Sequence, residues 1–225
     1  MARSAEDIKK DVVDQLYWDS RVDASEVSVE VHDGKVMLRG SVPTLVARHF
    51  AAADALAVAG NYGIENQLTV RYPSTVVAPS DEQVRNNVER VLEWNSEVDA
   101  EHIRVQVRQG VVTLEGSVDA LWKQPYVEDL ISRLTGVTAI DNKLTTVPTK
   151  DVSDEIIAES VIEALNRNPA INADAVEVTV ANAVVRLAGA VRDRRAREIA
   201  HHTAMQAFGA VAVDNQLMVA EEAGR

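Results

Sequence analysis

The sequence predicts an α+β protein built from three tandem αββαβ modules, each a three-stranded mixed sheet packed against two helices. The first observation behind this is a repeat: Gly34, Gly40, Gly60, Asn66 and Leu68 recur as Gly110, Gly116, Gly136, Asn142 and Leu144, a constant shift of 76 residues. All but the first recur 73 residues further on, as Gly189, Gly209, Asn215 and Leu217, with Ala183 where the first glycine would fall. The second is that apolar residues in each copy follow a helical period, then a period of two, then each again. The third is that short proline-bearing joins separate the copies, placing modules at 1–72, 79–148 and 151–220. A fixed period decides architecture before any single residue is interpreted.

Each copy opens with a helix. Ile8, Val12, Val13 and Leu16 form one apolar stripe, repeated as Val84, Val88 and Leu92 and as Ile157, Val161, Ile162 and Leu165. Acids at its start (Glu6-Asp7, Asp81-Glu82, Asp154-Glu155) suit the positive end of the helix dipole. Two strands follow, since Val27, Val29 and Val31 alternate with polar residues, as do Val36, Leu38 and Gly40 with Met37 and Arg39. Asp33-Gly34 between them favours a tight hairpin, and Gln109-Gly110 repeats it. Asn182-Ala183 stands there in the third copy, and alanine enters the left-handed region poorly, so a different turn is expected.

A second helix carries Phe50, Ala51, Ala55 and Val58 inward, with Tyr126, Val127, Ile131 and Leu134, then Ile199, Ala200, Ala204 and Ala207 as counterparts. Gly60, Gly136 and Gly209 are placed to end it as left-handed C-caps. A third strand closes each copy, around Ile64–Val70, Ile140–Thr146 and Val213–Val219, with the strand order open. The joins run from Tyr72-Pro73-Ser74 to Pro79-Ser80 and over Val147-Pro148-Thr149-Lys150, and the tail from Ala220 to Arg225 is expected to fray.

Charge narrows the partners. The 225 residues carry a net charge of −12, with 8 basic against 11 acidic residues in 1–75, 8 against 12 in 76–150 and 7 against 12 in 151–225. Acidity spread this evenly argues against nucleic acid, whose affinity comes from basic stripes. It also disfavours strong attraction to anionic lipid, so any membrane contact is expected to be local. With no cysteine, thiolate chemistry and disulfides are excluded. The first ten residues lack the apolar run of a secretory signal, and no stretch approaches the roughly 20 apolar residues of a membrane span. A cytoplasmic location is expected, or a periplasmic one if a signal peptide has been removed.

These residues resemble the BON domain, named for bacterial OsmY and nodulation proteins. The resemblance rests on an opening helix, on Val22-Asp23-Ala24, Val98-Asp99-Ala100 and the looser Ile171-Asn172-Ala173, and on Gly-x-Val-x-Leu-x-Gly-x-Val over Gly34–Val42. The same pattern spans Gly110–Val118, and Gly136–Leu144 supplies the closing Gly-Val-x-x-Val/Ile-x-Asn-x-Leu. Departures are the missing hairpin glycine of the third copy and Asn61 after Gly60, where an apolar residue is usual. The resemblance implies an αββαβ module proposed to bind phospholipid surfaces, linked to osmotic or envelope stress and attached to some transport proteins. The chain looks like the signal-less members with three such domains.

Seven residues are candidates for lipid or partner contact. Trp18 and Trp94 occupy matching positions after the first helix, where tryptophan serves either as an interfacial anchor or as a cap on a small core, the packing role being the commoner. Arg167 replaces them in the third copy. Trp122 opens the second helix of the middle copy, again with packing as the plainer role. Arg192, Arg194, Arg195 and Arg197 form the dense basic cluster, which fits a lipid phosphate or a solvated helix face, with Arg194 and Arg195 the candidates for anion contact. The five histidines show no ligand pair at helical spacing, and no phosphate-binding loop occurs, so no metal, cofactor or catalytic residue is assigned. The repeated Gly34, Gly40, Gly60, Asn66, Gly110, Gly116, Gly136, Asn142, Gly189, Gly209 and Asn215 read as structural.

The function expected is non-enzymatic: a tandem module acting at a phospholipid surface or on a protein partner. Alternatives are a chaperone-like scaffold for polypeptide and a small-ligand sensor with a pocket between modules. An exposed strand edge would also permit a weak dimer.

Overall fold

The structure is a computed structural model that describes residues 3–60, 62–72 and 77–220. Asn61, most of the first join (73–76) and the tail 221–225 lie outside the described residues. Two compact units form, one of Met1–Trp94, Val105–Leu114 and Glu128–Asn142, the other of Asn95–Arg104, Glu115–Val127 and Lys143–Arg225.

In the first unit, α1 (Ala5–Trp18), β1 (Val27–His32), β2 (Lys35–Val42), α2 (Leu45–Ala59) and β3 (Gly63–Val70) make one αββαβ module. The sheet order is β1-β2-β3, with β1 antiparallel and β3 parallel to the central β2. The antiparallel pair needs only a two-residue turn, whereas the parallel pair needs α2 as a crossover. Ile8, Val12 and Leu16 of α1 meet Val36 and Leu38 of β2 and the small faces of Ala51 and Ala55 in one core. The stripe on the first helix is narrower than expected: Val13 is 45% exposed and its counterpart Ile162 43%.

The middle repeat comprises α3 (Asp81–Trp94), β4 (Ile103–Arg108), β5 (Val111–Val118), α4 (Lys123–Ser132) and β6 (Ala139–Thr146), with sheet order β4-β5-β6. The third repeat comprises α5 (Asp154–Asn166), β7 (Val176–Ala181), β8 (Val184–Val191), α6 (Arg194–Met205), β9 (Ala212–Asn215) and β10 (Met218–Val219). Here the closing strand is interrupted, yet both pieces lie parallel to β8 in one register, from Ala212↔Val184 to Val219↔Val191. Its core gathers Ile157, Val161, Leu165, Leu187, Ala200 and Ala204, joined by Leu121.

The repeated asparagine is a latch. Asn66 Nδ2 donates to the Arg48 carbonyl at 2.9 Å while its Oδ1 accepts the Leu68 N–H at 3.1 Å. Asn215 repeats both bonds with Arg197 and Leu217. The side chain thus fastens the closing strand to the second helix, which satisfies backbone groups that burial would otherwise orphan.

Two expectations about glycine need correction. The third hairpin does not differ: Gly34, Gly110 and Ala183 all take positive φ, at 71°, 76° and 59°. Asp154, first residue of α5, explains this, because its carboxylate accepts the N–H groups of Asn182 and Ala183 at 2.9 and 2.8 Å. Asp81 grips Gln109 and Gly110 in the same way. Charge-assisted bonds to both turn amides offset the roughly 1–2 kcal/mol an L-residue loses in this conformation. Asp154→Ala is therefore expected to destabilise the third module by about 1–2 kcal/mol. Adding Ala183→Gly should recover about 1 kcal/mol, both read from urea unfolding.

The second correction concerns the helix ends. Only α2 runs to its glycine, with Gly60 at φ 64° and ψ −122°, outside the left-handed helical region. The helices α4 and α6 stop at Ser132 and Met205, well short of Gly136 and Gly209. Those glycines have positive φ and permit close approach: a Cβ on Gly136 would lie 2.4 Å from Val84 Cγ2, and one on Gly209 2.9 Å from Val152 Cβ.

Candidate functional site

At the C-terminal end of α1, Trp18 is 82% exposed, and at the end of α3 Trp94 is 84% exposed. Neither caps a core. The helix stripes account for this, because Leu16 and Leu92 are the last buried residues of each helix and the tryptophan two positions on faces away. Tyr17, 81% exposed, stands edge-on to Trp18 with ring centroids 6.4 Å apart. Trp122 differs: it is half-buried, 5.5 Å from the Tyr126 ring, with Lys123 Nζ 5.6 Å from its own centroid.

The arginine cluster is drawn apart. Arg192 pairs with Asp193 at 3.0 Å, and Arg197 turns inward to donate to the Asn215 carbonyl at 3.3 Å, its Nε buried without a partner. Asp193 caps α6 by accepting the Ala196 N–H, a bond that holds its carboxyl below the usual range. Arg195 is exposed and Arg194 half-buried. One turn along α6, burial holds the His201 imidazole below its ordinary pKa.

A polar layer that sequence reasoning missed links α1 to α2. Asp54 on α2 is only 7% exposed and takes a 3.3 Å bond from Gln15 Nε2, while its Oδ2 has no partner. Asp19 is gripped by the side chain and backbone N–H of Arg21, whose guanidinium covers the Phe50 ring at 3.9 Å. Those bonds hold the Asp19 carboxyl well below the usual carboxylate range. Burial pushes Asp54 above that range, and the nearby Asp19 carboxylate adds to the rise while Gln15 opposes it. The available signal was one acid on a small apolar face, where the sister copies place Leu130 and Thr203.

An acid whose pKa folding raises gives up its proton first in the unfolded chain, so stability falls as pH climbs from the unfolded to the folded value. Asp54→Asn keeps the acceptor for Gln15 and is expected to raise the melting temperature at neutral pH. At about pH 3, where both states hold the proton, it should change little. Asp19 has the opposite sign, its contribution being lost on acidification.

Among the described residues, no group of three or more His, Cys, Asp or Glu is placed to hold a metal ion. No helix among them is long and apolar enough to cross a membrane.

Three αββαβ modules in tandem, with exposed aromatics at matching helix ends, define a repeat protein of small α+β domains. The family model described as BON domain matches residues 4–72, 80–148 and 153–221, and the chain belongs to that family. BON repeats are membrane-surface or protein-interaction modules. No curated protein matches the chain. Among solved structures, the C-terminal domain of CdsD, a structural protein of the type III secretion system of Chlamydia trachomatis, aligns over 97% of this chain and 100% of its own at 15% identity and TM-score 0.27. A second CdsD structure aligns over 96% and 93% at 18% identity and the same TM-score.

Proposed function

We propose that the chain is a non-enzymatic docking protein whose first two modules anchor on a phospholipid surface through Trp18 and Trp94. The observation that carries this reading is their exposure of 82% and 84% at equivalent helix ends. Tryptophan is among the most buried side chains on average, and one left in water at the tip of a module favours the interfacial layer of a membrane. Tyr17 beside Trp18 widens the apolar tip. The modules expected at 1–72 and 79–148 would supply the anchors, and the one at 151–220, with Arg167 at the matching position, would touch phosphate through Arg194 and Arg195. A role in osmotic or envelope stress is what the family adds to this reading.

Salt dependence separates the two contacts. Aromatic insertion is not screened, and added salt relieves the repulsion between a −12 chain and an anionic bilayer. Binding to phosphatidylglycerol vesicles is therefore expected to hold or rise with salt in co-sedimentation. A steep fall would assign the contact to the arginines, and no binding at any salt would remove the reading.

A further inference from the structure

The first module has a groove of about 350 Å³ between α1 and the edge strand β1, lined by Val13, Leu16 and Tyr17 on one side and Val27 and Val29 on the other, with Asp23 at its rim. Strand β1 pairs with β2 alone and is an end strand of its sheet. The two-residue turn closes on His32↔Lys35, so His32, Glu30 and Ser28 exchange hydrogen bonds with β2. The backbone groups of Val29 and Val31 therefore point off the edge, and the Val27 N–H is taken by the Ala24 carbonyl at 3.0 Å. An open edge beside an apolar groove under a helix offers main-chain bonds and side-chain pockets at once, as strand addition requires.

We propose that this groove binds an extended polypeptide segment, which adds to β1 as a fourth strand, sets alternate apolar side chains against Val13 and Tyr17, and presents a basic side chain to Asp23. Charge argues for the basic residue. Asp23 is exposed, and the Ser25 hydroxyl and N–H hold its carboxyl below the usual range, so it is ionised whenever the chain is folded near neutrality. Charge and size argue against a second copy: two chains of −12 repel each other, and a stable dimer needs roughly 800 Å² from each partner. The sister modules lack the combination. Glu89 and Glu93 replace Val13 and Tyr17 in the middle repeat, where His102 Nδ1 lies 3.0 Å from the counterpart carboxylate of Asp99. Ile162, Asn166 and Asn172 stand there in the third. The proposal shares Tyr17 with the membrane reading, and Val13, which belongs to the groove alone and lies apart from Trp18 on the helix, is the side chain whose substitution separates the two.

The probe is a capped, fluorescent nine-residue peptide alternating valine with lysine and threonine, titrated with the full chain and read by anisotropy. Saturable binding on the order of 10–100 µM is expected. Val13→Glu and Tyr17→Glu, both at exposed positions, should each weaken it by about tenfold or more. Asp23→Lys should invert the preference, favouring a counterpart peptide with glutamate for lysine. N-methylation of the peptide amides that face β1 should abolish binding, whereas methylation of the other set should not. Binding that ignores all three substitutions, or no binding up to about 1 mM peptide, would overturn the proposal. So would self-association of the chain that Val13→Glu abolishes, since the groove would then serve a second copy. Vesicle binding retained by Val13→Glu would leave the membrane reading standing whatever the peptide does.

Discussion

Gly40→Ala is expected to unfold the first module, and Gly116→Ala and Gly189→Ala to do the same to theirs. A Cβ on Gly40 would lie 1.9 Å from the Glu26 carbonyl oxygen, on Gly116 1.9 Å from that of His102, and on Gly189 2.2 Å from that of Ala175. The obstacle is backbone in every case, so no rotamer change relieves it. These glycines also sit at φ 115°, 127° and 114°, where an L-residue is strained before any clash. Strain and overpacking of this kind cost about 1–3 kcal/mol each. A module of this size holds only about 3–10 kcal/mol in total. Gly34→Ala and Gly60→Ala supply the contrast, because a Cβ at either meets nothing within 4 Å. Gly34→Ala should cost about 1–2 kcal/mol, the strain of an L-residue in a turn where Ala183 is held by the Asp154 carboxylate. Urea unfolding followed by circular dichroism, with limited proteolysis to locate the damage, distinguishes the two classes. Equal losses at Gly34 and Gly40 would mean that turn conformation, not backbone contact, explains the repeated glycines.

The second large effect concerns vesicle binding. Burying about 150 Å² of an aromatic side chain gains about 3–4 kcal/mol at 25 cal/mol per Å². Interfacial placement realises only part of this, so Trp18→Ala and Trp94→Ala are each expected to weaken partitioning by about tenfold, near 1.4 kcal/mol. The double variant should approach a hundredfold loss if the two sites act independently. Folding should be unaffected, since both side chains already stand in water. An unchanged partition coefficient in the double variant would move the contact elsewhere.

Much of the fold was legible because its determinants are local and occur in more than one copy. The glycine spacing marks the hairpin and the repeat, and the stripes of Ile8, Val12 and Leu16 mark the core face, whereas the close approaches at the glycines and the asparagine latch came only with the structure. What escaped depends on contacts distant in sequence. Ala183 is held in a glycine-like conformation by Asp154, 29 residues earlier, an acid that reads as a helix-dipole residue until the turn amides are seen beside it. The exposure of Trp18 and Trp94 was equally hidden, since a tryptophan two residues past the end of an amphipathic stripe fits a core lid or a bare tip. Asp54 was readable only as an anomaly on an alanine-rich face, and the groove beside β1 needed the position of α1 over the sheet. Where the copies disagree, at Val13, Tyr17, Asp54 and the tryptophans, the sequence offered a place to look but not the surroundings that give each residue its role.

Depth-dependent quenching tests the membrane reading most directly. Phosphatidylcholine vesicles carrying bromine at defined acyl positions are mixed with the chain, and tryptophan emission is followed in the natural sequence and in a Trp18→Phe, Trp94→Phe variant that retains Trp122. The expected result is a blue shift and quenching by shallow bromines in the natural chain, with Trp122 of the variant unquenched. Unshifted, unquenched emission from the natural chain at saturating lipid, or equal quenching in the variant, would contradict the assignment of Trp18 and Trp94 as membrane anchors.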